Sequence, residues 1–310
     1  MTGTASGEST SVTWSVLEAG GGSISSAGVY QAPGAAGTYT VIATSVADPD
    51  ASRQASVIVT AAPATTFADQ LHAISGKRIY YQHASLGGES VGVYQAPGPW
   101  PDPYWGLDEM CRAHPTAGTT LARNQGYPTA PPRTVAVGTV SEWTHGALNG
   151  NAPEKLRQFD LAIRAFTVPV DVAILKLGLP DFDQQGYVVG TGMTEAQWFT
   201  SVYQPALAAL ERDFPDTIFV HGTLHIMMAS NYWGNAARES WNNRLRTTYP
   251  GRVWDLAYWL SVNRAGNRCI GADGAPCMHA DWQIPTDGHC NQPGADWLGE
   301  NLLAFLSTVN

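Results

Sequence analysis

Apolar and polar positions follow two different rhythms along the chain. In residues 1–62 they alternate, as in VTWSV (12–16), GTYTVIATSV (37–46) and ASVIVTA (55–61), with Gly and Pro between the segments. A period of two rich in Val, Thr and Tyr predicts short antiparallel strands on a half-buried sheet. AAPATTFAD follows, and residues 63–69 within it read as a linker. From residue 70 to 310 the rhythm changes to apolar runs separated by helical periods. RIYYQ (78–82), TVAVG (134–138), DVAILKLG (171–178), TIFVHGTL (217–224) and RVWDLA (252–257) read as strands. PEKLRQFDLAIRAF (153–166), NAARESWNNRLRTTY (235–249) and GADWLGENLLAFLSTV (294–309) read as helices. Thr194 and Gln197 form a capping box opening a helix with Trp198, Val202, Ala206 and Leu210 on one stripe. DVAILKLG is continuously apolar, as a strand covered on both faces requires. Strand–helix alternation predicts an α/β fold with a mostly parallel sheet between two helical layers.

Composition narrows the function classes. Of 310 residues, 44% are apolar and 14% charged, so a real core is expected. The net charge of −9 argues against nucleic-acid binding. No apolar run reaches the ~18 residues that a membrane helix needs. The opening MTGTASGEST has no basic or apolar signal region. The four cysteines show no CxxC pair. Cys269 and Cys277 flank a Gly-rich loop that a disulfide could close, in which case Cys111 would pair with Cys290; the alternative is four buried thiols. Two disulfides imply an oxidising compartment, so the expectation is an extracellular protein whose signal peptide is absent from this chain.

In parallel sheets chemistry gathers where strands end. After the first strand of the second region come His83, Ala84 and Ser85, then LGGES. Ser85 stands at a strand-to-helix turn, where free backbone N–H groups can receive negative charge. It also suits a helix cap. Near the other end, PTDGHCNQPG presents Asp287 and His289 from a loop before the last helix. A loop His with an acid nearby is what a serine nucleophile needs as its base.

These blocks resemble the SGNH (GDSL-type) hydrolases, with KRIYYQHASLGG in place of the Gly-Asp-Ser block, in a His-x-Ser branch, and TDGHCNQPG as the closing block. The resemblance implies a three-layer α/β/α, flavodoxin-like esterase domain with Ser85, His289 and Asp287 as catalytic triad. Asp287 lies two residues before His289, where the family has three. In LKLGLPDFD, Gly178 and Asp181 match the family's third block, but Pro180 replaces the Asn that donates to the oxyanion. Replacement donors or pocket residues are then Gly146, Asn149, Gly150, Lys176 and His83, beside the Ser85 N–H. Lys176 either reaches a partner such as Asp181 or points into the site; His83 either lines the pocket or bonds within the core. The N-terminal region, through WSV, GVYQAP, TVIATS and VIV, resembles the later part of a bacterial immunoglobulin-like module. Trp14 is expected in its core.

The expected activity is hydrolysis of ester groups, acetyl above all, on a polysaccharide, without cofactor or metal. A lipid or polyester is the alternative substrate. A non-catalytic glycan-binding or adhesive protein on the same scaffold is the alternative function. His221, His225 and His289 as a metal site, and Cys290 as nucleophile, are weaker alternatives. Trp100, Tyr104 and Trp105, in a loop rich in Pro, are expected to face the substrate. Trp143, Trp233 and Trp282 also fall near loops and add to that aromatic share.

Overall fold

The alternating N-terminal segment forms β1 (Val12–Val16), β2 (Ser23–Ile24), β3 (Tyr30–Gln31), β4 (Gly37–Ser45) and β5 (Ser52–Val59). The structure is a computed structural model describing residues 11–18, 20–33, 37–59, 65–92, 104–123, 131–144, 149–229, 234–284 and 288–309. The chain divides into two units, residues 1–65 and 66–310. In the first, β1, β4 and β5 make an antiparallel three-stranded sheet, and β2 and β3 a two-stranded ribbon. Glu18 closes the ribbon side by accepting from Thr40 N at 2.7 Å and Thr40 Oγ1 at 2.8 Å. Among the described residues of this unit, Val41 is the large apolar side chain that is fully buried. Trp14, on β1 of the three-stranded sheet, is only half-buried, contrary to expectation.

The second unit runs α1 (Phe67–Ile74), β6 (Arg78–His83), α2 (Leu86–Val91), α3 (Gly106–Ala113), β7 (Thr120–Ala122), β8 (Thr139–Thr144), α4 (Ala152–Ala165), β9 (Val172–Lys176), α5 (Glu195–Trp198), α6 (Gln204–Asp213), β10 (Ile218–Gly222), α7 (Asn235–Thr248), β11 (Val253–Trp254), α8 (Leu256–Ser261) and α9 (Gln292–Thr308). Its six strands form one sheet in the order β11-β10-β9-β6-β8-β7, every pairing parallel. This is the α/β architecture with helices on both faces. Alternation divides the strand residues between two cores. Ile79, Tyr81, Val172 and Ile174 face the layer of α1, α2, α3, α8 and α9. Tyr80, Ala173, Leu175 and Phe219 face the layer of α4, α6 and α7.

Three elements differ from the sequence reading. RVWDLA is a strand only at Val253–Trp254; Asp255 caps a helix, and Leu256 and Ala257 open α8. TVAVG is not a strand; the sheet is entered at Thr139, and β7 supplies an extra edge. The Thr194 capping box forms, with Gln197 N donating to Thr194 Oγ1 and Thr194 N to Gln197 Oε1. The helix it opens widens to a π turn over Phe199–Tyr203 before continuing as α6. Pro205 has no N–H to continue the α ladder there, which accounts for the widening.

β6 passes to β7 and β8 through α2 and α3 on one face, whereas β9 passes to β10 through α5 and α6 on the other. The strand order therefore reverses between β6 and β9. Such a switch point leaves a crevice at the carboxyl ends of the two strands.

Candidate active site

Ser85 stands at this crevice. Its backbone has φ 51° and ψ −129°, and it is the non-glycine residue with positive φ among those described. A non-glycine residue held there costs on the order of 1–3 kcal/mol, so the surroundings must enforce it. Ser85 occupies the cap position before α2, yet its hydroxyl makes no capping bond. Gly87 lets the chain fold back: a Cβ there would lie 2.6 Å from His83 Cβ and 2.9 Å from the Tyr81 hydroxyl. The Ser85 side chain is half-buried, so the turn presents it rather than covering it.

His289 arrives from the loop before α9, and its partner is a residue outside the sequence expectation. His289 Nδ1 lies 2.7 Å from Glu89 Oε1. A carboxylate oxygen only accepts, so Nδ1 carries the hydrogen and Nε2 keeps its lone pair. Glu89 is fully buried on α2, four residues after Ser85. Ser85 caps α2 and Glu89 lies within it, so one short segment of chain carries both the hydroxyl and the carboxyl. Asp287 and Gly146 lie outside the described residues. A serine followed at i+4 by a lone acid in a small-residue helix, LGGES, was the available sequence signal for Glu89.

The other Glu89 oxygen is also engaged. Oε2 accepts from Cys290 Sγ at 2.7 Å and from Cys290 N at 3.3 Å. Burial, with the neighbouring Glu89 charge, pushes the Cys290 thiol far up, so it stays protonated and donates. The expected Cys111–Cys290 disulfide is not formed. Both are free buried thiols, because Cys290 turns its sulfur to Glu89. Cys269 and Cys277 are joined by a disulfide.

The third strand end is more occupied than the sequence suggested. Gly178 N donates to Asp181 Oδ2 at 2.6 Å, so its N–H is not open to a ligand. Asp181 also accepts from Asn151 N at 3.0 Å and takes both carboxyl oxygens to Lys155 Nζ at 2.8 Å. Gly178 and Asp181 are thus a buried clamp on α4, not pocket donors. Lys176 does not bond Asp181 either; its Nζ donates to Ala84 O at 2.7 Å, across the switch point. Burial, then the Lys155 charge, pulls the Lys176 ammonium down to about 7.

His83 is fully buried, with Nε2 3.0 Å from Glu142 Oε2 on β8, so it belongs to the core rather than the pocket wall. Asn149 is exposed, and Gly150, at φ 76°, packs near the Pro180 carbonyl. His221 turns to the other layer, bonding the Tyr203 hydroxyl at 2.8 Å and stacking on Tyr249. Burial pulls it down to about 3, so it is neutral. His225 is buried and held well below the ordinary range, first by burial, then by the charges of Lys176, Arg238 and His289. Among the described residues no three His, Cys, Asp or Glu side chains gather to hold a metal ion.

The aromatic residues divide differently from expectation. Trp100 and Trp233 lie outside the described residues. Tyr104 is exposed, with the Arg112 guanidinium 3.8 Å above its ring. Trp105 is partly buried against the first core. Trp143 and Trp282 are buried and unavailable to a ligand, the latter donating its Nε1–H to Val262 O.

No family model matches the chain, and no curated protein matches it. Among solved structures it is similar to a carbohydrate esterase family 2 enzyme with a carbohydrate binding domain from Corynascus thermopiles (Myceliophthora fergusii). Identity is 13%, coverage is 96% of this chain and 86% of that one, and the TM-score is 0.38. It is also similar to a family two carbohydrate esterase from Clostridium thermocellum in complex with cellohexaose, at 11% identity, over 80% of this chain and 66% of that one, with a TM-score of 0.31.

Proposed function

We propose that the chain is an extracellular serine esterase acting on ester groups, acetyl groups foremost, carried by a carbohydrate. The carrying observation is the Ser85 turn at the switch point, with its hydroxyl making no capping bond and the His289–Glu89 pair anchored on the short helix that follows it. In this reading Ser85 Oγ attacks the ester carbon while His289 Nε2 takes its proton. The alcohol leaves with that proton. Water then attacks the acyl-enzyme, gives its proton to Nε2, and releases the acid and free Ser85. Glu89 holds the imidazole tautomer and faces the imidazolium that forms, the role the sequence reading gave to Asp287. The Cys269–Cys277 disulfide fits an oxidising compartment. Residues 1–62 are read as a partial immunoglobulin-like appendage.

A fluorophosphonate probe should label Ser85, and Ser85→Ala should remove turnover of p-nitrophenyl acetate and of acetylated polysaccharide. Turnover by Ser85→Ala at the wild-type rate would sink the assignment. Retention on insoluble polysaccharide without turnover by the wild type would select the glycan-binding alternative. Turnover of acyl chains in preference to acetylated sugar would select a lipid or polyester.

A further inference from the structure

Pro180 leaves the crevice without a side-chain donor at that position, so stabilisation of a developing oxyanion falls first on backbone N–H groups. Ser85 N–H meets no acceptor among the described residues. The same peptide unit carries the Ala84 carbonyl, and this oxygen accepts from Lys176 Nζ at 2.7 Å and from Gly87 N at 3.3 Å. Lys176 is a fully buried lysine, and its direct bond is to this carbonyl rather than to a carboxylate. A buried ammonium carries a large desolvation cost unless it is paired. Its placement on this one oxygen therefore calls for an account.

We propose that Lys176 is a positioning residue for the oxyanion site, fixing and polarising the Ala84–Ser85 peptide so that the Ser85 N–H receives the substrate oxygen. The inference rests on the serine-esterase reading. An amide is a resonant unit. A cation on its oxygen draws electron density from nitrogen and strengthens the N–H as donor, an effect enlarged where the dielectric is low. The bond also pins the plane of that peptide, and with it the left-handed Ser85 backbone.

The groups facing Lys176 are Lys155 from α4, Asp181 from the turn after β9, Glu89 from α2 and His225 after β10. Burial and Lys155 disfavour the ammonium, whereas Asp181 and Glu89 favour it. The charge is consequently lost below the ordinary lysine range.

The test uses the full chain with Lys176→Met and Lys176→Gln, measuring kcat and KM on p-nitrophenyl acetate from pH 6 to 10. Lys176→Met should lose about 10–100-fold in kcat, less than the 10²–10³ of a removed direct donor, with KM changed less than about threefold. Lys176→Gln keeps a neutral donor and should recover part of the loss. Wild-type kcat should fall on an alkaline limb that both variants lack. A wild-type kcat in Lys176→Met, a loss confined to KM, or the same alkaline limb in either variant would overturn the proposal. If Lys176→Met does not fold, Lys176→Gln and the wild-type limb decide it. Ser85→Ala separates the two readings. Retained activity there ends the esterase reading, whereas lost activity with unaltered Lys176 variants ends this inference alone.

Discussion

Replacing Glu89 by Gln tests whether the buried carboxyl on α2 orients the catalytic base. The carboxyl meets three donors: His289 Nδ1 on Oε1, and Cys290 Sγ and N on Oε2. A glutamine has one accepting oxygen. With that oxygen toward Cys290 two bonds survive, and the amide NH₂ then faces His289 Nδ1. Nδ1 must accept, so the ring hydrogen moves to Nε2, where it blocks removal of the Ser85 proton. With the oxygen toward His289, the amide N–H groups oppose the Cys290 thiol and backbone N–H; the thiol can rotate away but the backbone cannot. The first arrangement is favoured, and it holds the wrong tautomer. In a serine triad that error costs about 10⁴ in kcat, roughly 5.5 kcal/mol of barrier. Glu89→Gln should therefore lose about 10³–10⁴ in kcat for p-nitrophenyl acetate at pH 7.5, with KM little changed. Its circular dichroism should match the wild type. A folded Glu89→Gln enzyme keeping more than about a tenth of wild-type kcat would refute the reasoning.

Three further outcomes follow from packing and charge. Both free thiols are buried and pushed up, Cys111 to about 12 by burial, so a thiol reagent should find none in the native protein and two in denaturant. Native labelling at a rate near that of a free thiol would contradict this. At Gly299, a Cβ would lie 2.5 Å from Gly106 Cα, a backbone atom, so α9 and α3 would have to separate. Gly299→Ala should lower stability by about 1–3 kcal/mol in a denaturant titration, with the slope unchanged. Asp296 accepts from Gly106 N, but burial raises its carboxyl to about 6. The raised pKa means the folded state binds the proton more tightly, so stability falls as pH rises from about 4 to 6. Asp296→Asn keeps an accepting oxygen and should raise Tm at pH 7, with the gain vanishing near pH 4; an equal gain at both would exclude charge as its cause.

Much of the fold was legible because it depends on local period. The apolar run Val172–Lys176 became a buried central strand, and Thr194 capped its helix through Gln197. TVAVG misled because four apolar or β-branched residues in five suit a strand, yet β8 begins one residue later, at Thr139, where the register with Arg78 is set. Trp143 and Trp282 lie near loops in sequence, but both are buried. Position along the chain does not report which face of a strand or turn is covered.

The sequence by itself determined the alternation of strands and helices, the turn at Ser85, and a His presented before the last helix. These follow from side-chain period, glycine placement and chain order. Tertiary structure decided the partners. His289 meets Glu89 rather than a sequence neighbour because α2 and the loop before α9 pack together, 200 residues apart in the chain. Cys290 turns to the same carboxyl instead of forming a disulfide, and Lys155 takes Asp181, leaving Lys176 on the Ala84 carbonyl. Each choice is a competition among buried polar groups for the few partners within reach. Reach is a property of packed elements, not of spacing along the chain.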